Sequence, residues 1–232
     1  MKKFLVLIVG VSSFAANAQV QNNGNLQIHA GGEFAAFAAF TNSATANLLN
    51  NGSLYAKSNI INAQPSMAAG SGTLFLNGTT AQTLSGTAPF NTFHLSSDNS
   101  SGVTLNTNLS VSGIHSFVSG RIATSATPNY LIYNPGSSYT GQSDSRHVTG
   151  WVKKIGATDF TFPVGNGTYL RSSRLTNLSA VAEFDCSYGG ATQNTAYSDL
   201  QSPIQSINRY EHWTINKISG GSAQVTLNWD HS

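Results

Sequence analysis

Short pulses of alternating apolar and polar residues run along the chain from residue 19 onward. In segments 93–95 (FHL), 103–105 (VTL) and 109–111 (LSV) the apolar residues stand two apart. A period of two predicts a strand with one buried face. The breaks between pulses are rich in Asn, Ser and Gly, which predicts tight turns. The first half of the chain therefore predicts many short strands and no sustained helix.

A turn motif beside a short strand recurs in this half. Segment 22–26 (NNGNL) returns, with one substitution, as segment 50–54 (NNGSL). Recurrence at roughly 20–30 residues is typical of a solenoid, in which each turn of chain stacks on the one before. Stacking lets Asn, Ser and Thr side chains bond neighbouring turns. We therefore predict a parallel β-helix-like solenoid over residues 19–135. Disorder, the alternative for so polar a segment, is disfavoured by the regular apolar pulses.

Segment 33–40 admits two interpretations. Phe34, Phe37 and Phe40 stand three apart, which fits one face of a short helix. The segment lies between strand-like pulses, so a strand, or an apolar cap over the open end of the first turn, is the competing interpretation.

The pattern changes beyond about residue 140. Segment 160–164 alternates with Phe160, Phe162 and Val164 on one face, and segments 213–215 and 225–229 are strand-like as well. Glycine-rich turns separate them at 165–167, 189–190 and 220–221. Short strands of this kind predict an antiparallel β-sandwich-like domain over residues 136–232, joined through a linker at 134–138. The chain ends directly after a strand, so we expect this domain to be incomplete.

The N-terminal segment 1–18 predicts a secretory signal peptide. Lys2 and Lys3 precede an apolar run at 4–11, and segment 16–18 (ANA) supplies a small-x-small cleavage pattern. We expect an exported protein, extracellular or on the outer cell surface, that begins at Gln19. No later segment is apolar for long enough to span a membrane.

Charge is scarce and unevenly distributed once the signal is set aside. Residues 19–120 contain three formal charges, Glu33, Lys57 and Asp98, whereas residues 121–232 contain fifteen. The mature chain has nine basic and nine acidic residues. A nucleic-acid partner is disfavoured, because such proteins need a surplus of Lys and Arg.

The single cysteine, Cys186, excludes an internal disulfide. It alternates with Phe184 and Tyr188 on one face of a predicted strand, and Glu183 and Asp185 occupy the other, solvent-facing side. We expect a buried thiol that packs as a small apolar group.

Several segments resemble large secreted surface proteins of Bacteroidota. They are 78–86 (GTTAQTLSG), 90–95 (FNTFHL), 101–106 (SGVTLN), 146–156 (RHVTGWVKKIG), 158–165 (TDFTFPVG), 211–213 (EHW) and 225–230 (VTLNWD), and 158–165 is the most specific. The resemblance implies export by the type IX secretion system, which reads a C-terminal sorting domain. No such tail occurs here, which fits the N-terminal part of a longer protein or a truncated copy. The resemblance implies no catalytic residues.

Chemistry-bearing motifs are sparse. The six histidines lack metal-pair spacing, and the sequence has no calcium loop, nucleophile elbow or phosphate-binding loop. We therefore predict no catalytic residue, no metal and no cofactor. Glu183 and Asp185 have the residue types of a glycosidase pair, but a solvated strand face explains them better. The candidate ligand-contact residues are Trp151, Asp144, Arg146 and His147.

Three functions fit these observations. The favoured one is a non-catalytic exported scaffold, adhesin-like, with surface glycans or other cell-surface proteins as partners. A polysaccharide-binding module is the alternative, which an exposed row of aromatic side chains would favour. A polysaccharide lyase or hydrolase on a β-helix is the third, and the first half offers few acid–base groups for it.

Overall fold

The computed structural model describes residues 19–125, 127–190, 203 and 211–228, and these residues form 24 strands and no helix. In chain order the strands are β1 (Gln19–Asn22), β2 (Asn25–Ile28), β3 (Glu33–Ala36), β4 (Ala39–Asn42), β5 (Asn47–Asn50), β6 (Ser53–Ala56), β7 (Ile60–Asn62), β8 (Thr73–Leu76), β9 (Gln82–Ser85), β10 (Phe90–Thr92), β11 (His94–Asp98), β12 (Val103–Leu105), β13 (Leu109–Val111), β14 (Ile114–Ser119), β15 (Ile122–Thr124), β16 (Leu131–Tyr133), β17 (Ser138–Thr140), β18 (Val148–Thr149), β19 (Trp151–Gly156), β20 (Phe160–Phe162), β21 (Ser173–Thr176), β22 (Ala182–Gly189), β23 (His212–Gly220) and β24 (Gln224–Leu227). The predicted all-β class is confirmed.

The chain winds as a coil with three sides. The first side is the parallel sheet β1-β4-β7-β9-β12-β15-β18, and the third is the parallel sheet β3-β6-β8-β11-β14-β17. The second side carries the pair β2-β5 and then β10-β13-β16-β19, which are also parallel to one another. Between β1 and β18 the coil completes six turns. The predicted parallel solenoid is therefore confirmed.

The length of one turn is set by the strand register. Val20 pairs with Phe40, and Phe40 pairs with Ile60. One turn of the coil therefore runs from Val20 to Phe40, and the next runs from Phe40 to Ile60. The recurrence of segment 22–26 at 50–54 is longer than this step and is therefore not the coil repeat. Asn22 ends β1 and Asn50 ends β5, so the two motifs lie at different corners. They look alike because each builds the same tight turn, in which the Asn side-chain oxygen accepts the N–H of the glycine two positions later.

The core runs along the inside of the coil, where residues at equivalent positions stack from turn to turn. On the third side Leu54, Leu74 and Leu95 are aligned in register and buried. Each such leucine contributes on the order of 1.5–3 kcal/mol by leaving water. Because the period along each strand is two, their neighbours face outward.

A buried ladder of asparagine side chains follows the corner between the first and second sides. Asn22 Nδ2 donates to Asn42 Oδ1 at 2.9 Å, and Asn42 Nδ2 donates to Asn62 Oδ1 at 2.8 Å. Asn62 Nδ2 then donates to the carbonyl oxygen of Pro89 at 2.7 Å. These amides satisfy one another away from water, which is how a chain so rich in Asn builds an interior.

Segment 33–40 is extended, so the helix interpretation was wrong and the strand interpretation is confirmed. Its residues form β3 and the start of β4 with a turn between them. Phe34 and Phe40 point inward and meet edge to face with ring centroids 6.0 Å apart, whereas Phe37, in the turn, is 78% exposed. Phe34 lies in β3, Phe37 lies in the turn and Phe40 lies in β4. Their spacing of three therefore spans two strands and the turn between them, and it is not the period of one element.

Pairing changes from parallel to antiparallel at β19. This strand lies parallel to β16 on one edge and antiparallel to β22 on the other, and β22 continues antiparallel to β23. The parallel coil thus continues through β17, β18 and β19, past the linker predicted at 134–138. A second antiparallel sheet, β20-β21-β24, packs on β22, where Ser173 Oγ lies 3.2 Å from Cys186 Sγ.

The predicted apolar face of segment 160–164 is confirmed. Phe160, Phe162 and Val164 are buried, and Phe160 packs against Tyr133 and Tyr139 of the last turn of the coil. Strand β24 lies in the same sheet as β20 rather than facing it, and its Val225 is 48% exposed. The predicted signal peptide and the end of the last predicted strand, with Trp229, lie outside the described residues.

Candidate functional site

The four candidate contact residues lie at two different corners of the coil. Asp144, Arg146 and His147 belong to the loop between β17 and β18, at the corner where the third side leads into the first. Trp151 begins β19, after the next corner. The structure therefore brings three of the four together and gives Trp151 other neighbours.

His147 is a structural residue of its loop. Its ring is fully buried, with Nδ1 3.2 Å from the carbonyl oxygen of Ser143 and Nε2 3.3 Å from the backbone nitrogen of Gly167. A carbonyl oxygen requires a proton on Nδ1 and an N–H requires a lone pair on Nε2, so these contacts fit one neutral tautomer. Burial lowers the pKa of His147, consistent with that form. Both ring nitrogens are occupied, which leaves none for acid–base work.

The side chains of Asp144 and Arg146 form hydrogen bonds with other residues and not with each other. Asp144 Oδ1 accepts the N–H of Leu170 at 2.8 Å. Arg146 Nε donates to Ser143 Oγ at 3.1 Å, and its Nη1 lies 3.5 Å from the carbonyl oxygen of Val118. Both side chains therefore tie this loop to neighbouring segments of the chain.

A residue that the sequence analysis did not single out joins this corner. Arg121 lies one turn earlier, and its Nε and Nη2 both donate to the carbonyl oxygen of Asp144, at 3.3 and 3.0 Å. Arg121 and Arg146 lie on adjacent turns of the coil and line the same open cavity. The signal that could have found them is the turn register, in which Ile122 pairs with Val148.

Trp151 belongs to a cluster on the outer face of the second side. Its ring meets Tyr130 edge to face with centroids 6.2 Å apart, and Lys153 Nζ lies 4.4 Å from the centroid of the Tyr130 ring. Lys153 also forms an ion pair with Glu183 at 2.5 Å. This combination of an aromatic pair, an amine and a carboxylate links the last parallel strand to the antiparallel region.

Asp185 lies in the same cluster and is 1% exposed, although the strand pattern predicts a solvent-facing position. Tyr130 Oη donates to Asp185 Oδ2 at 3.0 Å, and Asn216 Nδ2 donates to Oδ1 at 2.9 Å. Burial and the neighbouring Asp185 raise the pKa of Tyr130 to about 12. Both carboxylates of the pair, Glu183 and Asp185, thus have protein partners, which is the arrangement of a cross-strand polar network.

The interior of the coil contains a chain of hydroxyl and imidazole groups that the sequence analysis missed. Ser97 Oγ lies 3.0 Å from His115 Nε2, and His115 Nδ1 lies 2.7 Å from the hydroxyl of Tyr133. All three side chains are buried, and burial lowers the pKa of His115 to about 3. A serine beside a neutral imidazole has the composition of an activated nucleophile. In this protein the three side chains face the core, so their hydrogen bonds join the third side of the coil to the second.

The buried thiol predicted at Cys186 is confirmed. Cys186 is fully buried and free, and burial raises its pKa to about 12. Such a thiol is unreactive in the folded protein.

Within residues 19–125, 127–190 and 211–228, no three His, Cys, Asp or Glu side chains are grouped so as to hold a metal ion. The same part of the chain has no helix of the length and hydrophobicity needed to cross a membrane. Comparison of the chain with protein-family models, with curated proteins and with solved structures finds no match to any of them.

Proposed function

We propose that this protein is a non-catalytic exported scaffold of the cell surface or extracellular space, with an adhesin-like role. The observation that carries the proposal is the use of polar side chains within the coil. Amides such as Asn42 and Gln82 are buried and bond neighbouring turns. In residues 19–120 of this coil only Glu33, Lys57 and Asp98 are charged, so this part presents a long, regular and nearly uncharged surface, which suits display and contact.

The groups best suited to catalysis already have structural partners, which supports the same role. Glu183 is paired with Lys153, Asp185 accepts two hydrogen bonds, and His115 is sealed in the core. A general acid or base must reach the proton that it transfers. Asp185 and His115 are buried and offer no open position for a substrate, and the partly exposed Glu183 is held by Lys153.

Export rests on the sequence pattern of residues 1–18. The resemblance to secreted Bacteroidota surface proteins supports the same location and adds the type IX secretion system as the route. Export and the type IX secretion route are therefore both part of what we propose.

Two measurements on one preparation test the role. The gene is expressed with its own N-terminus, the exported fraction is sequenced from its N-terminus, and the purified protein is incubated with neutral and acidic glycans. We expect a chain that begins at Gln19 and no release of reducing sugar. Reproducible cleavage that disappears in E183Q or D185N, but persists in the surface control D159N, would contradict the non-catalytic role.

A polysaccharide-binding module is the second candidate, and one observation favours it. Tyr55 and Phe75 stack on the outer face of the third side with centroids 4.5 Å apart, beside Glu33 and Lys57. Aromatic rings next to hydrogen-bonding groups suit a sugar ring. Retention of the protein on an insoluble neutral glycan, lost in Y55A/F75A, would support this candidate over the scaffold alone.

A further inference from the structure

An open groove lies at the corner where the third side of the coil leads into the first. Three successive turns form its walls, and its volume is about 510 Å³. The lining residues are Ser100, Ser101, Gly102, Val118, Ser119, Gly120, Arg121, Ser145 and Arg146. We call it the arginine groove.

Among the described residues, the two arginines of this groove have no carboxylate partner. Neither Arg121 nor Arg146 has a carboxylate oxygen within 4.0 Å in the described part of the chain, whereas Arg171 pairs with Glu211 and Arg174 with Asp159. Both groove arginines are half-buried. Two permanent positive charges therefore line one groove without a direct ion pair to a described carboxylate.

The hydrogen bonds of each arginine fix its position and leave donors available. Arg121 uses Nε and Nη2 on the carbonyl oxygen of Asp144, which leaves Nη1 unused. Arg146 uses Nε on Ser143 and Nη1 on Val118, which leaves Nη2 unused. A guanidinium held in this way still has N–H groups that can donate to a second acceptor. Carboxylate and sulfate oxygens are suitable acceptors, because the planar guanidinium can donate two parallel hydrogen bonds to them.

The two carboxylates near this corner each have a hydrogen-bond partner other than the groove arginines. Asp98 Oδ1 accepts a hydrogen bond from Ser119 at 2.7 Å, and Asp144 Oδ1 accepts one from Leu170. The rest of the lining is serine hydroxyl, glycine backbone and the side chain of Val118, which is 46% exposed. Hydroxyls beside a small apolar surface match the O–H and C–H groups of a sugar.

We propose that the arginine groove binds an anionic sugar unit, bearing carboxylate or sulfate, of an acidic extracellular polysaccharide. Arg121 and Arg146 hold the anionic group, and the serines contact the sugar hydroxyls. The groove is open and spans three turns, so a polymer can pass along it. The extracellular origin of the polysaccharide rests on the export that belongs to the proposed function, whereas binding of the sugar itself does not depend on the scaffold role.

The test measures binding of an oligogalacturonate to the purified protein by calorimetry. Its fully methyl-esterified form is the matched neutral ligand, and we expect it not to bind. The double variant R121Q/R146Q should weaken binding of the acid form by at least about tenfold, since each charge-assisted hydrogen bond lost has an effect of that order. R174Q removes an arginine outside the groove and should bind as the wild type does. Raising the salt concentration should weaken binding by the wild type more than by R121Q/R146Q.

A second variant covers the case in which R121Q/R146Q does not fold. S145Y places a bulky side chain in the groove, leaves both arginines intact and should also reduce binding at least about tenfold, by excluding the ligand. The proposal is overturned if the esterified oligomer binds equally well, or if S145Y binds as the wild type does. It is equally overturned if single-stranded DNA at the same charge concentration binds the wild type as tightly as the oligogalacturonate does, because the groove would then recognise charge and not a sugar. Glycan cleavage would refute the scaffold role and leave this proposal standing.

Discussion

Lowering the pH from 7 to 5 should destabilise this protein through one buried imidazole, that of His115. The ring contacts Ser97 and Tyr133, both uncharged, and lies against Phe117 with ring centroids 3.9 Å apart. Nothing in this environment compensates a positive charge, so the folded protein holds the neutral ring.

The magnitude follows from the difference in pKa between the two states. The imidazole has a pKa of 6.5 when exposed, and burial lowers the pKa of His115 to about 3. Between these values the unfolded chain binds a proton that the folded protein does not, so the free energy of unfolding falls as the pH falls. Each pH unit below the exposed pKa costs about 1.4 kcal/mol, which gives about 2 kcal/mol at pH 5. Above 6.5 both states are neutral and the full stability is present.

The assay compares urea unfolding of the wild type and of H115Q at pH 7 and at pH 5. Glutamine retains a donor and an acceptor for Ser97 and Tyr133 but does not titrate in this range. The buried His147 is present in both proteins, so its own pH dependence cancels. We expect the wild type to lose about 2 kcal/mol more than H115Q between the two pH values. Equal losses would refute the reasoning, because they would mean that the imidazole is not held neutral in the core.

Three further outcomes are expected, each checked on purified protein. N42A should lower the free energy of unfolding by about 1–3 kcal/mol in urea titrations, because it leaves buried amides of the ladder unpaired, whereas N23A, at an exposed position, should change little. G120A should destabilise more than G136A in the same titrations: both glycines have positive φ, 72° and 81°, but only at Gly120 would a β-carbon overlap a backbone carbonyl, that of Asn99. The thiol of Cys186 should fail to react with a thiol reagent at pH 8 in the folded protein and react fully in urea; rapid reaction without denaturant would contradict its burial.

The class of fold follows from local pattern alone. Alternation with a period of two, interrupted by Asn, Ser and Gly, specifies short strands and tight turns wherever it occurs. The buried face of 160–164 and the buried Cys186 follow from the same alternation, because side chains two apart share a face of any strand. The composition also predicts Asn side chains that bond neighbouring turns, but not that the amides of Asn22, Asn42 and Asn62 are buried.

The pairing of particular residues does not follow from that pattern. The recurrence of segment 22–26 at 50–54 is a turn motif used at two corners, and the shorter true repeat, from Val20 to Phe40 to Ile60, appears only when the strands are aligned. Asp185 alternates correctly but is buried, because Tyr130 and Asn216 from separate segments cover it. Local propensity describes a residue and its chain neighbours, and these contacts come from elsewhere in the chain.

The candidate site shows the same division. The sequence by itself identified Asp144, Arg146 and His147 as a polar cluster before a strand, but it did not predict strand β17 on the other side of the loop. Only the tertiary structure decided that Arg121 lines a groove together with Arg146, and that Asp144, His147 and Trp151 do not line it. Which side chains meet across turns depends on the length of every intervening turn, and a shift of one residue would exchange the inner and outer faces of a strand. The register between turns is fixed by the packing of the whole coil, and no single segment of the sequence carries that information.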